Sequence, residues 1–173
     1  MPKTTKNQAT QIPHQGMSFL GFVIMIGAFM AINSLNMDVM LPALPQIGTT
    51  LHLENPNHAQ FIITAYLVGL GLSSLIIGPI SDWLGRKPIL LFGLSIFTVG
   101  TIVAAVSTSF EVMLGARLLQ GIGAAAPRVM AFSIVRDWYH GRQMGRVMSL
   151  TMVVLMICPV IAPSMGQAVL FFG

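Results

Sequence analysis

The chain has 173 residues, 54% hydrophobic and only 8% charged, with a net charge of +4. A water-soluble domain carries about 25% charged residues, so the composition excludes a soluble enzyme and places the chain in a bilayer. The basic balance then reads as attraction to anionic lipid, with no nucleic acid as partner.

A bilayer core about 30 Å thick needs roughly 20 helical residues to cross it. Stretches free of Asp, Glu, Lys and Arg run over Asn7 to Met37, Asn55 to Ser81, Pro88 to Phe110 and Val147 to Gly173. A fifth, Met113 to Val135, is apolar except for two arginines. These runs predict an all-α membrane protein with five transmembrane helices, at about 18–42, 59–80, 88–107, 112–135 and 146–171, behind a polar tail at 1–17. They are too long and unbroken for barrel strands, which alternate over about ten residues. The first run also exceeds the 7–15 residues of a cleaved signal and ends in Leu41 to Pro45, so it reads as a retained helix.

In the first helix, Met30, Asn33, Ser34, Met37, Asp38 and Leu41 recur at i, i+3, i+4, i+7, i+8 and i+11 and share one face. A polar stripe in a span faces protein or a water-filled cavity rather than lipid. Asp38 reads either as a cavity carboxylate or as an interfacial one near the outer helix end. Ala65, Gly69 and Ser73 form a small-residue stripe on helix two, a packing device. Between helices two and three, residues 78–88 read GPISDWLGRKP, which predicts a short, rigid, basic turn at the membrane surface.

Helix four carries Arg117 and Arg128, eleven residues apart. Eleven steps of 100° bring them to within about 20° of each other, roughly 16 Å apart along the axis. Arg128 is placed to snorkel towards the interface, whereas Gln120 and Gly121 beside Arg117 favour a buried role. Along helix five, Met144, Met148, Met152 and Met156 suit either ordinary packing or an adaptable pocket. Pro159 and Pro163 each remove an amide donor, so Cys158 to Gly166 reads as a candidate hinge. Cys158 stands alone and forms no intramolecular disulfide. No catalytic or metal-ligating pattern appears, so the chain is expected to be no enzyme and to need no metal or cofactor.

Charge placement gives an orientation. Lys3, Lys6, Arg86, Lys87, Arg136, Arg142 and Arg146 lie in the tail and in the second and fourth loops, and the first and third loops hold none. By the positive-inside bias the amino terminus and those two loops are expected to be cytoplasmic.

Three motifs in order resemble the major facilitator superfamily, and within it the twelve-helix drug:proton antiporters of the bicyclomycin/chloramphenicol efflux type. Gly78, Asp82, Gly85, Arg86 and Lys87 resemble its loop between helices two and three. Leu114, Arg117, Gln120, Gly121 and Gly123 resemble its helix-four motif, and Pro159, Ala162, Pro163 and Gly166 its antiporter motif, with Gln167 where many members have a second glycine. Asp38 before LPALP is similar to the aspartate at the outer end of helix one in such exporters. The resemblance implies a bacterial-type inner membrane location and exchange of protons for hydrophobic or cationic drugs. It implies that Asp82 and Arg86 form a cytoplasmic gate network with Asp137, and that Arg117 influences proton coupling. It also implies a six-helix half with the rest of the transporter as missing partner, so the chain is expected to be a fragment. The alternatives are a truncated, non-transporting remnant or scaffold, and a carrier of sugars or other metabolites.

Overall fold

The computed structural model describes residues 18–51 and 55–172, without the side chains of 56 and 158–172. The tail at 1–17, including Lys3 and Lys6, lies outside the described residues. The chain runs α1 (Phe19–Met40), a 3₁₀ turn (Leu41–Ala43), α2 (Leu44–Thr50), a second 3₁₀ turn (Pro56–Ala59), α3 (Gln60–Leu84), α4 (Arg86–Ala105), α5 (Phe110–Trp138) and α6 (Gly141–Phe172). No strand occurs among the described residues. Four segments meet the length and apolarity of a membrane span: Phe19–Thr50, Asn57–Leu84, Arg86–Ala105 and Phe110–Trp138. At 32 residues α6 is long enough to be the fifth. The protein is an all-α membrane bundle, as the uncharged runs predict.

Several boundaries differ from the sequence reading, each for a local reason. The first span does not stop at 42. Pro42 and Pro45 sit in the first turns of the 3₁₀ segment and of α2, where a missing amide costs little, so the chain stays helical to Thr50. The turn expected over 78–88 shrinks to one residue. Pro79 lies inside α3, Asp82 is in its last turn, and only Gly85 breaks the helix, at φ 90. That left-handed value suits glycine and strains any residue with a Cβ. α5 starts early because the Ser109 side chain accepts from the Val112 amide at 3.4 Å. The loop expected over 136–146 contracts to Tyr139 and His140, with α6 starting at Gly141, φ 55.

The bundle is organised around α5. Both α3 and α4 pack extensively against it and touch each other little, while α1 packs on α6 and α5. The reason lies in Gly121 and Gly123. Two residues are 200° apart on a helix, so these glycines open opposite faces of α5. A Cβ at Gly121 would fall on the Tyr66 carbonyl and 2.9 Å from the Leu70 nitrogen of α3, and one at Gly123 would lie 2.8 Å from the Phe97 Cα of α4. The neighbours answer in kind: Gly69 of α3 admits the backbone around Leu118, and Gly93 and Gly100 of α4 admit Gly123 and Gln120. Such close approach is how apolar helices gain packing in lipid, where no hydrophobic force drives them together.

At the end of the bundle carrying Arg136, Arg142 and Arg146, an aromatic corner ties α1 to the α5–α6 junction. Phe22 stacks on Trp138 with centroids 5.2 Å apart, and Phe19 meets Tyr139 edge-on at 6.4 Å. Arg146 lies over the Phe19 ring at 5.9 Å.

Candidate functional site

Two polar constellations sit in this scaffold, one within the span and one at the helix ends. The first surrounds Arg117, which α5 presents towards α1. Its guanidinium donates to Asn36 Oδ1 at 3.2 Å, and its Nε is buried with no hydrogen-bond partner among the described residues. One turn on, Gln120 is 2% exposed and donates through Nε2 to Thr101 Oγ1 of α4 at 2.7 Å, while its Oε1 is left unpaired. These groups open on a cavity of about 600 Å³ between α1, α4 and α5, whose remaining walls are mostly apolar, among them Ile32, Val39, Met40, Phe97 and Met113. A fixed cation beside an unpaired acceptor in an apolar chamber can orient a polar group on a hydrophobic molecule.

The polar residues of α1 divide between two directions. Asn33 accepts from the Tyr66 hydroxyl at 2.9 Å and donates to the Ala124 carbonyl at 3.3 Å, fastening α1 to α3 and α5. Met37 packs on Tyr66, Leu70, Ala124 and Ala125. Met30 is buried with Phe22, Val135 and Val147. Ser34 and Asp38 are half-buried, and Asp38 makes no hydrogen bond or ion pair among the described residues. The cavity wall on α1 is thus formed by Asn36 and its neighbours, on the flank of the stripe that the sequence singled out. Asn36 was missed there. Its i+3 spacing from Asn33 is the signal that could have found it.

On α5 the structure separates the two arginines: Arg128 is exposed while Arg117 is half-buried. The methionines of α6 divide as well, with Met144 and Met148 packed against the aromatic corner and Met152 and Met156 exposed. Pro159, Pro163 and Gly166 fall within α6, but their side chains lie outside the described residues.

The second constellation joins Asp82, Arg86 and Asp137. Asp82 lies in the last turn of α3 and Arg86 begins α4, so the single-residue break at Gly85 leaves them four positions and 4.0 Å apart. Arg86 also pairs closely with Asp137 in the last turn of α5. Its side chain is 27% exposed against 62% for Asp82, so the arginine is the inward member. Gly78 stands apart, since a Cβ there would meet nothing within 4 Å, and Lys87 is exposed. Exchanging the charges is the direct test of the pair. Arg86→Asp would set three carboxylates together and should lower unfolding stability by about 2 kcal/mol, as Asp137→Arg should, with the double exchange recovering about half. A double variant no more stable than the sum of the single losses would mean that the pair does not couple α4 to α5.

The family model described as Major Facilitator Superfamily matches residues 17–173. The chain belongs to the Major Facilitator Superfamily. Its relatives agree with the drug-efflux resemblance. It is 38% identical over 157 residues to a chloramphenicol resistance protein of Pseudomonas aeruginosa, covering 88% of this chain and 36% of that protein. It is 32% identical over 147 residues to multidrug resistance protein D of Escherichia coli (strain K12), covering 85% and 37%. It is 36% identical over 155 residues to the uncharacterized MFS-type transporter YdgK of Bacillus subtilis (strain 168), covering 90% and 38%. The chain therefore spans less than two-fifths of the length of these relatives. As a superfamily member with four segments long and apolar enough to cross a membrane among the described residues, it is a multi-pass membrane protein, and the Arg117, Gln120, Gly121 and Gly123 motif is where the major facilitator fold brings α1, α3 and α4 onto α5.

Proposed function

We propose that this chain forms part of a secondary active exporter that exchanges protons for hydrophobic or cationic small molecules across the bacterial inner membrane. The observation that carries this reading is Arg117, a cation held within the span beside an apolar cavity of about 600 Å³. Ionisable groups at such depth cost about 2.5–3.5 kcal/mol on insertion scales and are kept for ion or substrate handling. The names of the Pseudomonas and Escherichia relatives support drugs over sugars as the cargo class.

In this proposal Asp38 takes up and releases the coupling proton, with Asn33, Ser34, Met37, Arg117 and Gln120 around the path. Gly78, Asp82, Gly85, Arg86, Lys87 and Asp137 form a gate on the cytoplasmic side, where the amino terminus also lies. Pro159, Pro163 and Gly166 give α6 its hinge. A whole exporter needs the further spans of the relatives, which are the partner of this half. The second reading is a non-transporting membrane scaffold. Uptake of a fluorescent cationic dye into drug-sensitive bacteria separates the two. Cells making the chain joined to its remaining spans should accumulate several-fold less dye, and a protonophore should restore accumulation. Unchanged accumulation, or a reduction indifferent to the protonophore, would rule out proton-driven export.

A further inference from the structure

Because α3 and α4 are each drawn onto α5 by glycines, they diverge from one another and leave a groove of about 660 Å³. Its walls are Ile76, Ile80 and Leu84 from α3 and Ile89, Phe92 and Ile96 from α4, with Ser73 as the one polar residue, at the inner end. The groove opens sideways, since Ile76 is 58%, Leu84 54% and Phe92 66% exposed. From Ser73 to Leu84 it is about 16 Å long, roughly half the hydrocarbon core and so the depth of one leaflet. Trp83, 85% exposed, stands beside Leu84 at its outer end. Lys87 stands next to Pro88 at the same level, exposed and without an ion pair among the described residues, whereas Arg86 and Asp82 are engaged with each other.

We propose that this groove seats one acyl chain of an anionic phospholipid, whose headgroup phosphate pairs with Lys87. The walls suit a flexible hydrocarbon chain better than a protein helix. Helices dock in lipid through small residues that let backbones meet, and the lips here are isoleucine, leucine and phenylalanine. An exposed tryptophan is at home among headgroups. A free lysine at that depth is attracted to anionic rather than zwitterionic lipid.

The test uses the chain in nanodiscs containing phosphatidylglycerol or phosphatidylcholine, each with a photoreactive diazirine on one acyl chain, followed by peptide mass spectrometry. At equal mole fraction, phosphatidylglycerol should label positions 76–96 about fivefold more than phosphatidylcholine, the weight of one lysine near an anionic surface. Lys87→Gln should abolish that preference while labelling at the exposed Leu20 and Ile24 of α1, which serve as an internal control, stays unchanged. Equal labelling by the two lipids would reduce the groove to ordinary lipid annulus. Absence of label would show that no acyl chain enters the groove. A preference surviving Lys87→Gln would overturn the headgroup assignment.

Discussion

Gly121→Ala is expected to disrupt the bundle, at a cost of about 3 kcal/mol or more. The added Cβ meets the backbone of α3 at Tyr66 and Leu70 rather than the far end of a flexible side chain, so only movement of the whole helix relieves it. α3 is also the helix whose Tyr66 donates to Asn33, so displacing it weakens the fastening of α1. Gly115→Ala is the matched control on the same helix, because its Cβ meets nothing within 4 Å. Unfolding in detergent micelles, followed by circular dichroism, should show a large loss for position 121 and almost none for 115. Equal behaviour of the two variants would refute close α3–α5 packing as the organising contact.

The second large effect concerns Asp38, within the proposed exporter. Asparagine keeps the size of the side chain and its capacity for hydrogen bonding but exchanges no proton. Asp38→Asn in the transporter containing this chain is therefore expected to reach the membrane at normal levels and to lose proton-driven export of cationic drugs. Export would be followed as dye efflux from inverted vesicles or cells at several values of the pH gradient. If the variant exports at the unmodified rate with the same pH dependence, Asp38 is an interfacial carboxylate and coupling runs through another group.

Much of the architecture was legible because lipid imposes a blunt rule: helices crossing it must be long and nearly free of charge. The nearness of Asp82, Arg86 and Asp137 was legible for a related reason, since charges gather at helix ends and the motif resemblance paired those ends. Finer features escaped where they depend on how helices face one another. Gly93 and Gly100 lie seven apart, on one face of α4, but a search for small residues every four positions passes over them. Asn36 gains its importance only when α5 brings Arg117 alongside it. The turn at 78–88 was drawn too wide because Gly78-Pro79 looks like a breaker. Inside a packed membrane helix, neighbours compensate a proline and the chain continues.

The central place of α5 also has a consequence for biosynthesis. Ribosomes deliver α1, α3 and α4 to the membrane before the helix they converge upon has been made. At about 5–20 residues per second, the interval between completing Leu84 and completing Trp138 lasts several seconds. Until α5 is made, the Gly69 face, and the Gly93 face once α4 has been synthesised, have no native partner, and Tyr66 and Asn33 lack the Ala124 carbonyl that completes their link. During that delay these faces are open to contacts other than the native ones. Any chain interrupted before Phe110 would present early helices with nothing to assemble around.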